Sequence, residues 1–122
     1  MIPTTVTRVF DHQETMARMG QDLGLFRVMV GYLASDGPRW MADLRAALLA
    51  GDIPRVQQRA HSLKGLISNF GAGRAWRAAS MLEDFARVGR KEELAENLAE
   101  LAFALTELLG ALERYLATEN SG

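Results

Sequence analysis

The sequence predicts an all-α protein, an antiparallel four-helix bundle with additional helices at its N-terminal end. Apolar residues recur at helical spacing through most of the chain, and no segment shows the period-two alternation of a strand. Glycine or proline separates the periodic segments, so the connections between them are short. Long amphipathic helices joined by short turns pack most simply against antiparallel neighbours.

The N-terminal third of the chain is predicted to hold two short helices. Residues 1–9 form an extended lead-in, residues 10–19 a first helix and residues 22–35 a second. The run Asp36-Gly37-Pro38 then predicts a turn or kink, because proline favours the first turn of a new helix. We expect these helices to cover one end of the bundle or to extend one of its members.

Four longer helices are predicted to form the bundle itself. Asp52 can cap the second of them and Gly71 can end it. In the last helix, leucines alternate steps of four and three, which is typical of packing against antiparallel neighbours; an exposed part of this helix could mediate dimerisation. Residues 118–122 are left as a C-terminal tail, so the helical domain covers residues 10–117. The four helices span about residues 38–50, 52–70, 73–88 and 91–117.

Composition narrows the classes of function. The 122 residues are 48% hydrophobic and include no cysteine, so one core forms without disulfides and thiolate metal sites are excluded. The formal net charge of −1, with both signs interspersed, gives no basic surface for nucleic acid. No apolar run is long enough to span a membrane, and the first residues lack the pattern of a signal peptide. We expect a soluble, cytoplasmic, monomeric protein that binds neither nucleic acid nor membrane.

Helical spacing places His61 outside the core. About 100° of rotation per residue puts the apolar residues of this segment on one stripe and His61 roughly 130° from its centre. Gln57, Lys64, Gly65 and Ser68 share the side with His61. A glycine inside a helix costs about 1 kcal/mol relative to alanine, so close approach by another molecule is a reasonable explanation for Gly65. The apolar stripe is formed by Ile53, Val56, Ala60, Leu63, Ile67 and Phe70.

The residue types around His61 indicate a nucleophile without a complete catalytic site. A neutral imidazole nitrogen is nucleophilic near physiological pH. Lys64, one turn later, would attract an anionic group on the imidazole, although exposed charge pairs contribute only about 0–1 kcal/mol. Gln57, Gln58 and Ser68 could hydrogen-bond to the ring or to such a group, or could equally be solvated surface residues. No carboxylate pair or phosphate-binding glycine loop lies on this side of the helix, so the missing groups must come from a partner.

The run Ala60-His61-Ser62-Leu63-Lys64-Gly65, followed by Asn69-Phe70-Gly71-Ala72, resembles the histidine-containing phosphotransfer (HPt) domains of multistep two-component signalling. The similarity covers roughly residues 10–117. One difference is visible: the two positions after Gly65 are often small in the family but are Leu66 and Ile67 here, which predicts altered packing. Further family-like positions are Phe10-Asp11, Asp36 with Pro38, Leu44-Arg45-Ala46-Ala47-Leu48, Gly51-Asp52 and Leu82-Glu83.

The resemblance implies a function and a set of partners. It implies that His61 accepts a phosphoryl group from an aspartyl phosphate of a receiver domain and passes it to the aspartate of another receiver. It also implies that Lys64 lies beside the phosphoryl group and that Gly65 leaves room for the receiver. The expected partners are response-regulator receiver domains and a hybrid histidine kinase. The domain is expected to have no kinase activity and no cofactor of its own, and magnesium is expected on the receiver.

Other interpretations of His61 stay open. The bundle could be a binding module that docks onto a receiver or a kinase and inhibits it without carrying phosphate. The dimerisation helices of a histidine kinase fit less well, because an acidic residue usually follows their histidine, whereas Ser62 stands there in this chain. A metal site in the bundle is not expected, since neither His12 nor His61 has a glutamate three residues before it. His12 is interpreted as a surface residue.

Overall fold

The computed structural model describes residues 9–121 and shows five α-helices, with no strand among those residues. The predicted all-α fold is confirmed. The predicted lead-in falls largely on residues 1–8, which lie outside the described part of the chain. The helices are α1 (His12–Arg18), α2 (Leu23–Ala50), α3 (Ile53–Ile67), α4 (Gly73–Arg87) and α5 (Lys91–Ser121), and a 3₁₀ turn, Ser68–Phe70, follows α3.

Helix α2 is one helix of 28 residues where the sequence predicts two. The predicted break at residues 36–38 is wrong: Pro38 is exposed and lies inside the helix. A proline in a helix interior costs about 3 kcal/mol, because it lacks an N–H and its ring crowds the preceding turn. Leu33, Met41 and Leu44, on either side of the proline, are buried in the core. Burial of each contributes about 1.5–3 kcal/mol, so tertiary packing outweighs the local cost and keeps the helix continuous.

Helix α5 also differs from its predicted length. It continues to Ser121, four residues beyond the predicted end at residue 117. Between residue 117 and Gly122 the sequence contains no glycine or proline that would end the helix earlier. The part of the predicted tail that the structure describes is therefore helical.

Aspartates begin the first three helices as N-caps. The carboxylates of Asp11, Asp22 and Asp52 each accept a hydrogen bond from the backbone N–H three residues later, at 3.0, 3.1 and 3.2 Å. Such caps satisfy amide groups that have no partner within the helix. Gly51 and Gly71 follow α2 and the 3₁₀ turn in the left-handed conformation, with φ of 70° and 57°, which glycine adopts without strain. The cap predicted at Asp52 and the end predicted at Gly71 are confirmed.

The four long helices form a closed ring around a leucine-rich core. Each helix from α2 to α4 contacts the next one, and α5 contacts α2. The bundle therefore has two opposite sides, which we call the α3–α4 face and the α2–α5 face. Its largest fully buried side chains are Phe26, Phe70, Leu33, Leu44, Leu63, Ile67, Leu82, Leu94, Leu101, Leu108, Leu112 and Val56.

Helix α1 is tied to the end of α3 rather than added to the ring. The Asp11 backbone N–H donates to the Phe70 carbonyl at 3.1 Å, and the Arg18 guanidinium donates to the Ser68 carbonyl at 2.9 Å. Phe10 stacks on Phe26 with ring centroids 6.3 Å apart. The N-terminal segment thus covers the end of the bundle at which α3 ends, and one end of the bundle is covered as the sequence predicts. Residues 23–35, predicted as part of a separate helix, form the first half of α2.

We expect Pro38→Ala to raise the free energy of unfolding by about 1–3 kcal/mol, because an exposed proline inside a helix loses a backbone hydrogen bond that alanine restores. Urea denaturation followed by circular dichroism measures the change. Pro54→Ala is the matched control, since Pro54 lies in the first turn of α3, where proline is tolerated. A Pro38→Ala variant less stable than the parent would show that Pro38 does not destabilise α2.

Candidate functional site

His61 lies midway along α3 and points away from the core. Its side chain is 68% exposed, whereas its neighbours Ala60 and Leu63 are fully buried. The helical spacing of the segment accounts for this difference, because residues on the stripe of Ala60 and Leu63 face the other helices. The ring is therefore open to approach from solvent.

The Glu83 carboxylate holds the inner edge of the imidazole. His61 Nδ1 lies 2.8 Å from Glu83 Oε2. Glu83 belongs to α4 and its side chain is only 15% exposed. Its neighbour Leu82 is fully buried, so Glu83 lies at the border between the core and the surface. The packing of α4 therefore delivers a carboxylate to the side of a solvent-exposed histidine.

Lys64 contacts the other oxygen of the same carboxylate. Its Nζ lies 2.7 Å from Glu83 Oε1, and its side chain is 24% exposed. The ammonium group also lies over the ring of Trp76, 5.7 Å from the centroid, which is cation–π distance. Lys64 is thus held between a carboxylate and an aromatic ring, one helical turn from His61.

We call His61, Lys64 and Glu83 the His61 cluster. Its charges determine which nitrogen of the His61 ring has a free lone pair. Burial of the Glu83 carboxyl raises its pKa, but the hydrogen bonds and charges of Lys64 and His61 outweigh burial, so its pKa lies below the usual value of 4.5. Glu83 is therefore ionised near neutral pH and can only accept hydrogen bonds. From this we assign the proton of the neutral His61 ring to Nδ1, which donates to Glu83. Nε2 then carries the lone pair and faces solvent.

Gly65 packs against no other part of the chain that the structure describes. A Cβ built on it would meet none of the described atoms within 4 Å, apart from its own helix backbone and chain neighbours. Its position in a helix interior costs about 1 kcal/mol relative to alanine, so stability does not explain it. Because Gly65 has no side chain, the surface of α3 is unobstructed one turn from His61.

A shallow pocket of about 510 Å³ opens beside His61. Gln57 and Gln58 line it, so two of the three predicted binding residues lie next to the imidazole. Ser68 does not line it: its hydroxyl donates to the Gly65 carbonyl at 2.6 Å, and the residue borders a separate pocket of about 400 Å³ that also includes Trp76. The residues lining the first pocket are Pro54, Gln57, Gln58, His61, Ser62 and Glu83.

The described residues contain no group of three or more His, Cys, Asp and Glu side chains placed to hold a metal ion. In the same part of the chain, none of the helices combines the length and apolarity needed to cross a membrane.

A comparison with protein families identifies the chain. The model of the Hpt domain matches residues 28–115, which include α3, α4 and the whole His61 cluster. The chain belongs to the Hpt domain family. Membership supports a role in histidine phosphotransfer within a phosphorelay, and it implies receiver domains and histidine kinases as partners. Hpt proteins are phosphoryl carriers and are generally not enzymes.

Two solved structures share the fold of this Hpt domain. Histidine-containing phosphotransfer protein B (HptB) from Pseudomonas aeruginosa PAO1 is 22% identical, with a TM-score of 0.81 over 88% of this chain and 93% of that one. A rice protein described as a histidine-containing phosphotransfer protein is 19% identical, with a TM-score of 0.77 over 93% of this chain and 83% of that one. A search of curated proteins found no match.

The sequence did not reveal the role of Glu83, although Leu82-Glu83 was recognised as family-like. The pairing of Glu83 with His61 could have been found from the spacing of the two residues around the connection between α3 and α4. Their connection centres near Gly71 and Ala72, so residues at equal distances before and after it face each other in the antiparallel pair. His61 lies ten residues before Gly71 and Glu83 lies eleven after Ala72. Counting outward from the turn would have predicted the pair.

The substitution of larger residues after Gly65 is accommodated by the core of this Hpt domain. Ile67 is fully buried, and Leu66 is partly buried against the core cluster. Neither residue lines the pocket beside His61. The departure from the family pattern therefore concerns the interior of the bundle.

We expect the neutral imidazole of His61 to be protonated mainly at Nδ1, whereas free histidine prefers the proton on Nε2. Two-bond ¹H–¹⁵N correlation spectra distinguish the two tautomers. In Glu83→Leu the preference should revert to Nε2–H, because the acceptor beside Nδ1 is gone. Glu100→Leu is the control. It removes an exposed carboxylate of α5 that pairs with Arg74 of α4, and it should leave the His61 tautomer unchanged. A parent spectrum dominated by Nε2–H would refute the assignment.

Proposed function

We propose that His61 accepts a phosphoryl group on Nε2 from the aspartyl phosphate of a receiver domain and passes it to the aspartate of a second receiver. The observation that supports this best is the contact between Glu83 and Nδ1. That contact leaves Nε2 as the nucleophilic atom on an exposed, rigidly held ring. Family membership supplies the reaction class.

The phosphoryl transfer to His61 needs no base from this chain. The Nε2 lone pair forms the new bond to phosphorus, the bond from phosphorus to the aspartyl oxygen breaks, and the aspartate leaves as a carboxylate. Nε2 carries no proton beforehand, so none has to be removed from it. The ring gains positive charge while Nδ1 keeps its proton, and the Glu83 carboxylate 2.8 Å away offsets that charge. The reverse steps return the phosphoryl group to a receiver.

Lys64 is a second stabilising group in this proposal. Its ammonium lies one turn from His61 and can rotate from Glu83 toward the phosphoryl oxygens. Such a pair near the surface contributes about 0–1 kcal/mol, which corresponds to at most about fivefold in the transfer equilibrium. Lys64 therefore assists a reaction whose main determinants are elsewhere.

The remaining catalytic groups are assigned to the receiver. Phosphoryl transfer depends on positioning and on neutralising charge at the phosphoryl oxygens. We assign the magnesium ion that meets this need to the receiver. Gly65 leaves the receiver's surface free to approach Nε2, and Gln57 and Gln58 line the pocket where phosphoryl oxygens would lie.

Phosphotransfer from a phosphorylated receiver or hybrid kinase tests the proposal directly. Incubation should place an acid-labile phosphoryl label on the protein, and His61→Gln should abolish the label because its side chain offers no nucleophilic nitrogen. His12→Gln is the matched control and should be labelled like the parent. Label that persists in His61→Gln would overturn the assignment. Binding to a receiver without any labelling would favour the inhibitory binding module instead.

Gly65→Ala should change stability and transfer in opposite directions. Because the added Cβ would meet no described atom within 4 Å outside its own helix backbone and chain neighbours, the free energy of unfolding should rise by about 0.5–1 kcal/mol. The same methyl group lies on the surface assigned to the receiver, so the transfer rate at limiting receiver concentration should fall. Gly31→Ala on α2, where a Cβ is also unobstructed, should stabilise the protein without slowing transfer. Equal transfer rates for the two variants would refute the role of Gly65.

A further inference from the structure

Trp76, on the α3–α4 face, is a large aromatic residue that its own chain covers only in part. It lies at the end of the first turn of α4 and is 41% exposed, whereas Ala75 and Ala79 on the same helix are buried. It also lines the open pocket of about 400 Å³ at the end of α3, together with Ser68. Burial stabilises a ring only in proportion to the area removed from water, so packing is an incomplete explanation for a tryptophan here. The ring has a charged neighbour, the ammonium group of Lys64.

Trp76 and Glu83 share the ammonium group of Lys64. The two residues lie seven positions apart on α4, which places them on one side of the helix and about 10 Å apart along its axis. Nζ of Lys64 lies 2.7 Å from Glu83 Oε1 and 5.7 Å from the centroid of the Trp76 ring. The ammonium group therefore lies between the carboxylate and the ring.

The position of His61 sets the direction in which Lys64 must move to reach a phosphoryl group. His61 contacts the second oxygen of Glu83. On α3 it comes three residues before Lys64, whereas Ser68, which shares a pocket with Trp76, comes four residues after. A phosphoryl group on Nε2 would thus lie at the end of this row opposite to Trp76. Because the distance of 5.7 Å is already close to the limit of about 6 Å for a cation–π contact, movement of the ammonium group toward His61 breaks its contact with Trp76.

We propose that Trp76 is a positioning residue: it holds Lys64 in its resting contact and thereby favours the unphosphorylated form of His61. This role rests on the proposed phosphotransfer, whose equilibrium it shifts. An exposed cation–π contact corresponds to a factor of about two to five in an equilibrium constant. Trp76 thus partly offsets the stabilisation of phosphohistidine by Lys64, so the phosphoryl group returns to a receiver more readily. Trp76 itself forms and breaks no covalent bond.

The equilibrium between a phosphorylated receiver and this domain tests the role of Trp76. Trp76→Leu should raise the equilibrium constant for phosphorylation of His61 by about two- to fivefold, because Lys64 no longer gives up a contact when it moves. Trp76→Phe keeps an aromatic ring and should lie closer to the parent. Phe103→Leu is the matched control: it removes a ring whose centroid lies 4.9 Å from the Arg74 guanidinium, and it should leave the constant unchanged.

A double-mutant cycle with Lys64→Met separates positioning from a general structural effect of the ring. Without the ammonium group Trp76 has nothing to hold, so Trp76→Leu should leave the equilibrium constant of the Lys64→Met variant unchanged. A structural effect would give the same shift in both backgrounds. Three results would overturn the role of Trp76: an unchanged or lower constant in Trp76→Leu, an equal shift in the Lys64→Met background, or a Trp76→Phe variant that shifts as far as Trp76→Leu.

The resting contact can be measured without phosphotransfer. In the proton NMR spectrum of the unphosphorylated parent, the ring current of Trp76 should move the ε-methylene resonances of Lys64 upfield. The shift should vanish in Trp76→Leu and persist in Phe103→Leu. A parent that takes the label but lacks this shift would overturn the role of Trp76 alone. A parent that shows the shift but takes no label from any receiver would overturn the proposed phosphotransfer, and the role of Trp76 with it.

Discussion

The packing of α3 against α4 decides where every group of the candidate site lies. Helix α3 buries Val56, Ala60, Leu63 and Ile67, and α4 contributes mainly alanines and Leu82 to the same core. Small side chains favour a close approach of two helices. That approach brings Glu83 within 2.8 Å of an imidazole that is itself largely in solvent. The position of the exposed His61 ring beside Glu83 is thus set by buried residues of α3 and α4.

One carboxylate then links the functional groups. The two oxygens of Glu83 contact His61 and Lys64 separately, so the nucleophile and the nearby cation are oriented by the same side chain. The arrangement favours the Nδ1–H tautomer and offsets positive charge on the ring, as a carboxylate does for histidine in hydrolytic enzymes. It provides no acid, base or metal for the incoming group. These properties suit a carrier that accepts and releases a group while other proteins provide catalysis.

The sequence was sufficient to predict structural features that depend on a single helix. The spacing of Ala60 and Leu63 placed His61 outside the core, and Asp52 capped its helix as predicted. Features that depend on two elements were missed. The continuity of α2 through Pro38 rests on burial against the other helices, and the Glu83 contact rests on the register of a hairpin. Ser68 lies outside the pocket beside His61, and its hydroxyl donates to the backbone carbonyl of Gly65.

The contact between Glu83 and His61 depends on the number of residues between the turn at Gly71 and Glu83. Gly71 has a φ of 57°, and a Cβ there would lie 3.0 Å from Asp11 Cβ, so the turn is confined by α1 as well as by its own geometry. One residue inserted between the turn and Glu83 would advance α4 by about 1.5 Å and rotate it by about 100°. Glu83 would leave His61, although both residues and the composition of the core would be unchanged. Divergence in this family should therefore tolerate substitution along α3 and α4 more readily than insertion or deletion between them.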